Sequence, residues 1–255
     1  METRFMLSKM SRYVHRAFSK EYVEYDGSII PSPDRRWCGP EFKDDSYYIK
    51  SAESEATRLA QRGCTKASSV LDLGCGQGRL AIGLLRVIGE LQYTGMDVDA
   101  DSLVLCRKMI QARHPSYRFE HLNAYNSRYN PNGTPLDENF HINVPDASQD
   151  FVYLYSVFSH MTQEDMMVYL REIHRMLSSA GLLFFTTFVE PDVPPFEENP
   201  VGYFQLPYNG PLHVCRYERN HLLALLKQVG FVEVDFSHRT EADHQSGIYC
   251  RRISA

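Results

Sequence analysis

Long apolar runs and paired cysteines are both missing from this 255-residue sequence. No stretch approaches the about 20 consecutive apolar residues that a membrane-spanning helix needs, and residues 1–18 contain no continuous apolar core of signal-peptide length. The six cysteines include no Cys-x-x-Cys pair, which disfavours a zinc site or a disulfide framework and is typical of a reducing compartment. We therefore expect a cytoplasmic protein without an integral membrane segment.

Basic residues are too few for a typical nucleic-acid-binding surface. The chain has 27 Lys and Arg against 32 Asp and Glu, a net charge of −5, whereas nucleic-acid-binding proteins usually carry a basic patch. Its ten histidines show no His-Glu-x-x-His or comparable grouping, so no metal site is predicted. The composition, 43% hydrophobic and 23% charged, is that of an ordinary globular enzyme. We expect no nucleic-acid partner and no metal.

Short apolar segments alternate with helical patterns through the centre of the chain. Such alternation requires helical crossovers, which build a parallel sheet covered on both faces. The gap between the last two predicted strands is too short for a helix, so these strands should be antiparallel. The predicted fold class is α/β, a Rossmann-like sandwich with a mostly parallel seven-stranded sheet and an antiparallel last strand. Strands are expected at residues 70–73, 93–96, 118–122, 151–155, 182–188, 231–236 and 248–253, and helices at 51–62, 79–88, 101–113, 163–177 and 217–229.

Four segments lie outside this alternation. Residues 1–25 have apolar side chains at spacings of three and four, which predicts a helix that packs on the domain, lies on a membrane surface, forms a lid or holds a homodimer. Residues 26–50 and 123–149 are predicted to be loops. Residues 190–214 contain six prolines and four aromatic residues, which favours a lid over a linker. The predicted division is an N-terminal helical and lid region at 1–66 and a main domain at 67–255 with 190–214 inserted.

The strongest local signal is a glycine-rich turn after the first predicted strand. Gly74, Gly76 and Gly78 alternate before a helix, and glycines there let the backbone bend sharply and approach a ligand. Asp97 closes the next strand, where a carboxylate accepts hydrogen bonds from ribose hydroxyls. Arg79 stands where a dinucleotide fingerprint has its third glycine, and no P-loop Lys-Ser/Thr follows. The turn therefore favours a ligand with ribose and adenine but no pyrophosphate, which disfavours a nicotinamide-dependent oxidoreductase.

Residues 70–79 resemble motif I of class I S-adenosylmethionine-dependent methyltransferases, and residues 95–98 resemble the acidic second motif of that family. Residues 150–161 and 169–177 are similar to the later motifs, with Ser-Ala-Gly at 179–181 where Pro-Gly-Gly is usual. The resemblance covers residues 68–235 and includes a bacterial subgroup found near glycan, lipid or natural-product genes. It implies a methyltransferase that uses S-adenosyl-L-methionine; nothing in these motifs is specific for an acceptor.

The resemblance also implies roles for individual residues. The glycine turn would wrap the methionine part of the cofactor and Asp72 would orient its amino group, while Asp97 would bind the ribose. Asn123 stands where the family often has an aspartate that contacts the adenine amino group. Tyr47 and Tyr48 either close over the cofactor or pack in the core. The implied cofactor-binding residues are Asp72, Gly74, Cys75, Gly76, Gly78, Asp97, Val98, Asn123, Ala124, Tyr155 and Ser156.

Methyl transfer from a sulfonium is an in-line displacement, and a hydroxyl acceptor must also lose a proton. A neutral histidine suits this role near pH 7. His160 follows the fourth predicted strand, at the sheet edge where open α/β proteins bind ligands, so it is the first candidate base; the alternative is that it packs against the helix that follows. His213, at the end of the lid, is the second candidate.

The acceptor is predicted only as a class. Trp37, Tyr203, Phe204 and Tyr208 suggest a partly apolar pocket under the lid, or else ordinary core packing. We expect an O-methyltransferase acting on a small organic molecule such as a natural product, a sugar or a lipid-linked compound. The alternatives are N-methylation of a small amine and a cofactor-binding module without catalysis.

Overall fold

The computed structural model describes residues 21–36, 39–205 and 208–253. The strands are β1 (Tyr22–Tyr25), β2 (Ser28–Pro31), β3 (Ser69–Leu73), β4 (Gln92–Asp97), β5 (Tyr117–His121), β6 (Gln149–Leu154), β7 (Leu177–Glu190), β8 (Phe196–Glu198), β9 (Cys215–Glu218), β10 (Phe231–Ser237) and β11 (Ser246–Arg252). The α-helices are α1 (Asp45–Ala60), α2 (Arg79–Val87), α3 (Ala100–Cys106), α4 (Gln163–Met176) and α5 (Arg219–Gln228); a π-helical turn, Arg107–Gln111, continues α3.

The main sheet has nine described strands: seven follow the order β10-β11-β7-β6-β3-β4-β5, while β9 pairs with the end of β7 and β8 pairs with β9. Strands β3 to β7 are parallel to one another, while β11 is antiparallel to both β7 and β10. The predicted α/β class, the mostly parallel sheet and the antiparallel pairing of the last two strands are confirmed. The chain moves outward from β3 to β5 and then returns to the other side of β3, so a crevice opens between the carboxyl ends of β3 and β6.

Both faces of the sheet are buried, which explains the continuous apolar character of the central strands. Leu71 and Val152 point into a core shared with α4 and α5. Val70 and Tyr153 point to the opposite face, into a core shared with α1, α2 and α3. Alternate residues of one strand therefore anchor helices on opposite sides, and the strand ends are held at one edge.

The predictions at the N-terminus need correction. Residues 22–25 were expected at the end of a helix, but they form β1, which pairs with β2 in an antiparallel hairpin; residues 1–20 lie outside the described part of the chain. The loop expected at 26–50 contains β2 and the start of α1. Helix α1 begins at Asp45, six residues before the predicted start, because the side chain of Asp44 caps it by accepting from the Tyr47 N–H at 2.8 Å.

The two long segments differ from each other. In residues 123–149 the regular structure before β6 consists of two isolated bridges, as expected for a loop. Within 190–214, β8 pairs with β9, which itself extends the end of β7. The helix predicted at 217 begins instead at Arg219, since Glu218 is the cap and accepts from the His221 N–H at 2.7 Å. No described helix is both long enough and apolar enough to cross a membrane.

Candidate active site

A cavity of about 480 Å³ opens at the carboxyl edge of β3, β4 and β6. Its walls come from the glycine turn, the strand ends, the N-terminal elements before and within α1, the loop after β5, and the turn before β11. Of the residues implied by the sequence, those that line the cavity are Tyr48, Asp72, Gly74, Cys75, Gly76, Asp97, Val98, Tyr155, Ser156, His160 and His213.

The glycine turn has a backbone that other residues adopt only with strain. Gly74, Gly76 and Gly78 have φ values of +82°, +50° and +80°. A Cβ on Gly74 would overlap Val157, whereas one on Gly76 would meet no atom within 4 Å and faces open space. A Cβ on Gly78 would lie 2.8 Å from Ile110, so Gly78 serves packing beneath the turn and does not line the cavity.

Asp97, at the end of β4, is held by backbone donors. Its two carboxylate oxygens accept from the N–H groups of Gly76 at 2.7 Å and Asp99 at 2.8 Å. Burial raises the pKa of Asp97, and these hydrogen bonds oppose that effect. Each oxygen keeps a further lone pair, so the carboxylate can accept from two hydroxyls of a ligand. Val98 follows it in the cavity wall.

Asp72, near the end of β3, is more isolated. Its side chain is only 3% exposed and accepts from the Tyr93 hydroxyl at 2.6 Å. Burial raises the pKa of Asp72 to about 8. In the same wall, the Tyr153 hydroxyl is buried without a hydrogen-bond partner among the described residues. The wall therefore holds polar groups that a ligand would satisfy.

A buried ion pair in the cavity wall was not anticipated from the sequence. Glu55 of α1 accepts from Arg79 at 2.5 Å, and the Arg79 guanidinium lies over the rings of Phe42, at 4.8 Å, and Tyr155, at 5.0 Å. Burial raises the pKa of Glu55, and Arg79 opposes this. The sequence did contain a sign of this ion pair. Glu55 lies on the apolar stripe of α1 between Ala52 and Leu59, and a buried carboxylate without a partner is costly.

His160 lies in a short 3-10 turn after β6, and its ring is fixed at one nitrogen. Nδ1 donates to the carbonyl oxygen of Leu212 at 3.0 Å; a carbonyl only accepts, so Nδ1 carries the proton. Nε2 carries the lone pair and lies 3.5 Å from the Ser156 hydroxyl, which can donate to it. Burial lowers the pKa of His160 to about 4, which keeps the imidazole neutral at physiological pH.

The second predicted histidine is close to the first. The rings of His160 and His213 lie 6.5 Å apart between centroids. Nδ1 of His213 accepts from the Asn209 N–H at 2.8 Å, and burial lowers the pKa of His213. The Tyr129 ring stands edge-on to His160 at 5.6 Å. Both candidate bases therefore belong to one wall of the cavity.

The end of β6 is held by groups from the neighbouring strand β7 and from the turn before β11. Ser156 has φ +58°, an uncommon value for a residue with a side chain. Its N–H donates to the Thr186 hydroxyl at 2.7 Å, and its own hydroxyl accepts from the Gln245 amide at 2.8 Å. Tyr155 accepts from the Ala242 N–H at 3.1 Å. Strain held in this way is a common feature of functional sites.

Two adenine contacts implied by the sequence lie away from the cavity. Asn123 is exposed and bonds Asn130 at 3.2 Å and Thr134 at 3.4 Å, because the loop turns back on itself here. Ala124 is fully buried beneath that turn. Leu122 lines the cavity in their place.

The aromatic residues expected to form an acceptor pocket lie elsewhere too. Tyr203, Phe204 and Tyr208 pack with Phe188 and Val214 in a small separate core. Trp37 falls outside the described residues. Tyr48 is buried and lines the cavity, whereas its neighbour Tyr47 is 44% exposed and packs edge-on against Phe42 at 5.0 Å.

Residues 70–181 match the family model described as a methyltransferase domain. A demethylmenaquinone methyltransferase of Geobacillus kaustophilus (strain HTA426) is 24% identical over 240 residues, which are 87% of this chain and 89% of that protein. The matched segment contains the glycine turn, Asp97 and His160, and ends at the start of the buried part of β7.

Solved structures with a similar fold include a glycopeptide N-methyltransferase, MtfA, complexed with S-adenosyl-L-methionine. It has a TM-score of 0.56 and 15% identity, and the match covers 79% of this chain and 87% of that chain. Magnesium protoporphyrin IX methyltransferase (ChlM) from Synechocystis PCC 6803, with bound SAH, has TM-score 0.59 and 13% identity over 96% of this chain and 94% of that chain. The [4+2]-cyclase SpnF has a TM-score of 0.59 and 17% identity over 81% of this chain and 83% of that chain. At these identities the likeness concerns the fold, which serves more than one reaction.

Proposed function

We propose that this class I S-adenosylmethionine-dependent methyltransferase methylates a hydroxyl oxygen of a small organic molecule, with His160 as the general base. The family and the cofactor predicted from the sequence are confirmed by the methyltransferase-domain match, together with the fold. The observation that carries the choice of oxygen is the unprotonated Nε2 of His160 in the cavity wall.

The residues at the carboxyl edge of the sheet fit S-adenosylmethionine. Asp97 has lone pairs left for two ribose hydroxyls, and Gly76 leaves open space beside it. Asp72 offers a carboxylate to an ammonium group, and the unpaired Tyr153 hydroxyl offers one more polar contact. A cation bound there would favour the ionised form of Asp72. When bound, the cofactor supplies a methyl group that is electrophilic because it is attached to a sulfonium.

His160 would receive the proton that the acceptor loses. Its Nδ1–H is held by the Leu212 carbonyl, which orients Nε2 for a hydroxyl entering the cavity. A pKa of about 4 keeps Nε2 available over the whole physiological range but makes it a weak base. Such a base matches a hydroxyl that is itself acidic, such as a phenol, better than an aliphatic alcohol.

The test compares His160→Ala with His114→Ala. His114 bonds Glu90 at 2.8 Å on the surface and does not line the cavity, so it controls for the loss of an imidazole. We expect His160→Ala to lower turnover by about 10²–10⁴-fold, measured as S-adenosylhomocysteine released with a panel of phenols, while the dissociation constant for S-adenosylmethionine from calorimetry changes less than about twofold. Turnover equal to that of His114→Ala would remove His160 as the base.

N-methylation is the second candidate, and the weak basicity of His160 favours it. A neutral amine attacks without prior loss of a proton, so it needs less help than an alcohol. Each phenol of the panel is paired with the corresponding aniline to separate O-methylation from N-methylation. If wild type and His160→Ala methylated the anilines equally well, N-methylation would replace the hydroxyl proposal. Cofactor binding with no product from either series would favour a module without catalysis.

A further inference from the structure

Arg128 brings an uncompensated positive charge to the wall of the cavity that also holds His160 and His213. It lies in the loop after β5, and its Nη1 donates to the carbonyl oxygens of Asn209 at 2.5 Å and Pro211 at 3.5 Å. Both acceptors are neutral. Arg128 forms no salt bridge with any residue in the described ranges, unlike Arg79 across the cavity, which is paired with Glu55.

One edge of the Arg128 guanidinium is free of partners. Nε is buried without a hydrogen-bond partner, and within the described chain the hydrogen bonds of this guanidinium all leave from Nη1. Because Nε is buried, Nη2 is the donor left for a ligand, and a charged guanidinium donor suits an oxygen of a carboxylate or phosphate. A charge-assisted hydrogen bond from Nη2 to such an oxygen would be stabilising.

The charges of the cavity are divided between two sides. Asp72, Asp97 and Asp99 gather around the glycine turn, which suits a cationic ligand. On the other side the positive charge of Arg128 acts on both histidines, adding to the effect of burial in lowering their pKa values. Asp243 also lines this side, but it forms no salt bridge with Arg128.

A single small molecule can reach both Arg128 and His160. The Arg128 guanidinium carbon lies 5.4 Å from the centroid of the Tyr129 ring, and that ring lies 5.6 Å from the ring of His160. Tyr129 is therefore flanked by the two groups, and an acceptor that covers its ring extends from one to the other.

We propose that the methyl acceptor carries an anionic group, a carboxylate or a phosphate, which binds Nη2 of the Arg128 guanidinium while the atom to be methylated faces His160. This inference rests on the proposed function, because it assigns the second ligand of the same cavity. It narrows the acceptor to small anionic molecules, and it makes Arg128 a specificity-determining residue.

Arg128 also holds the lid through Asn209, so its removal needs a matched control. Arg113 provides one: its Nη1 donates to the carbonyl oxygens of Lys108 at 2.9 Å and Met109 at 3.0 Å, and it too forms no salt bridge within the described chain. It does not line the cavity. Arg113→Met therefore removes an arginine with the same kind of carbonyl contacts.

The experiment titrates three probes, benzoate, phenyl phosphate and benzamide, into the full-length protein loaded with S-adenosylhomocysteine, followed by ligand-observed NMR. We expect one of the two anions to bind wild type at least about tenfold more tightly than benzamide, the size of a charge-assisted contact. Arg128→Met should bring the three affinities within about twofold of one another, and Arg128→Lys should keep part of the preference. Arg113→Met should behave as wild type.

Each result bears on one proposal. The anion site would be overturned if the wild type bound the anions and benzamide with equal affinity, or if neither anion bound. It would also be overturned if Arg128→Met kept the preference for the anions. Benzoate and phenyl phosphate distinguish a carboxylate acceptor from a phosphorylated one. The proposed function is tested separately in the loading step, since a wild-type protein that binds no S-adenosylhomocysteine contradicts the methyltransferase assignment itself.

Discussion

Two carboxylates lie at or near the ends of adjacent strands, the buried Asp72 and the half-buried Asp97, and different groups hold them. Asp97 accepts from two backbone N–H groups, one on each oxygen, which favours its charged form against the effect of burial. Asp72 accepts from one tyrosine hydroxyl, and burial raises its pKa to about 8. At pH 7 burial therefore favours the protonated form of Asp72, and a cation bound beside it would favour loss of that proton.

Asp72→Asn should stabilise the cofactor-free protein at neutral pH. A carboxyl whose pKa is higher in the folded than in the unfolded state stabilises the fold below the unfolded pKa, and that contribution is lost as the pH rises through the folded pKa of about 8. Asparagine keeps an acceptor for Tyr93 and does not ionise. We expect a gain of about 1–3 kcal/mol in unfolding free energy at pH 7.5 and little at pH 4, measured by urea unfolding, with weaker S-adenosylmethionine binding in calorimetry.

The exposed Asp34 supplies the control. Asp34→Asn should leave the unfolding free energy at pH 7.5 unchanged. If Asp72→Asn gave the same unfolding free energy as wild type at pH 7.5, Asp72 would not be a strained carboxyl in the folded protein.

Helices α1 and α2 pack with almost no space between their backbones. A Cβ on Gly83 of α2 would overlap the carbonyl of Ala52 and lie 3.2 Å from the Cβ of Ala56 in α1. Three small residues thus set the distance between the helices. The same approach brings Glu55 of α1 within reach of Arg79 at the start of α2, so helix packing decides where the buried ion pair of the cavity wall forms.

Gly83→Ala should destabilise the protein although alanine is the better helix former. Helix propensity alone would stabilise by up to about 1 kcal/mol, while forcing a methyl group against the Ala52 backbone costs about 1–3 kcal/mol or more. We expect a lower urea midpoint with an unchanged slope. Ala60→Gly, in the last turn of α1, measures the effect of helix propensity by itself. A urea midpoint for Gly83→Ala at or above that of wild type would contradict the close packing of the two helices.

The cavity joins parts of the chain that are distant in sequence. Phe42 and Glu55 come from the N-terminal part, Asp97 from β4, His160 from the turn after β6, and Gln245 from the turn before β11. A ligand that contacts these parts binds the folded protein and not the unfolded chain, so its binding free energy adds to the stability of the whole molecule.

S-adenosylhomocysteine at one hundred times its dissociation constant should raise the unfolding free energy of the wild type by about 2.7 kcal/mol. Asp97→Ala should lose most of this gain at the same ligand concentration, since it removes the carboxylate proposed to accept from the ribose hydroxyls. Urea unfolding with and without ligand measures both. Asp146→Ala, which removes a carboxylate paired with Arg175 on the surface, should retain the full gain; an equal gain in Asp97→Ala would contradict the ribose assignment.

Local sequence patterns were sufficient for the sheet and the glycine turn. Apolar segments predicted the seven ordered strands of the sheet, and those of β3, β6 and β7 are continuous because both faces of the sheet are buried there. Gly74 and Asp97 could be assigned because motif spacing and the ends of neighbouring strands are local properties. Residues 22–25 were mispredicted as helix since short amphipathic segments carry weak periodicity, and the hairpin pairing of β1 with β2 is a tertiary choice.

Within the site, the sequence by itself determined which groups stand at the carboxyl ends of the strands: Asp72, Asp97 and His160 follow from strand order and strand ends alone. Only the tertiary structure decided the tautomer and low pKa of His160, the pairing of Arg79 with Glu55, and the free edge of Arg128. It also placed Tyr203 in a separate core and turned Asn123 outward. These properties depend on burial and on partners far along the chain, and no local spacing encodes which distant side chains come into contact.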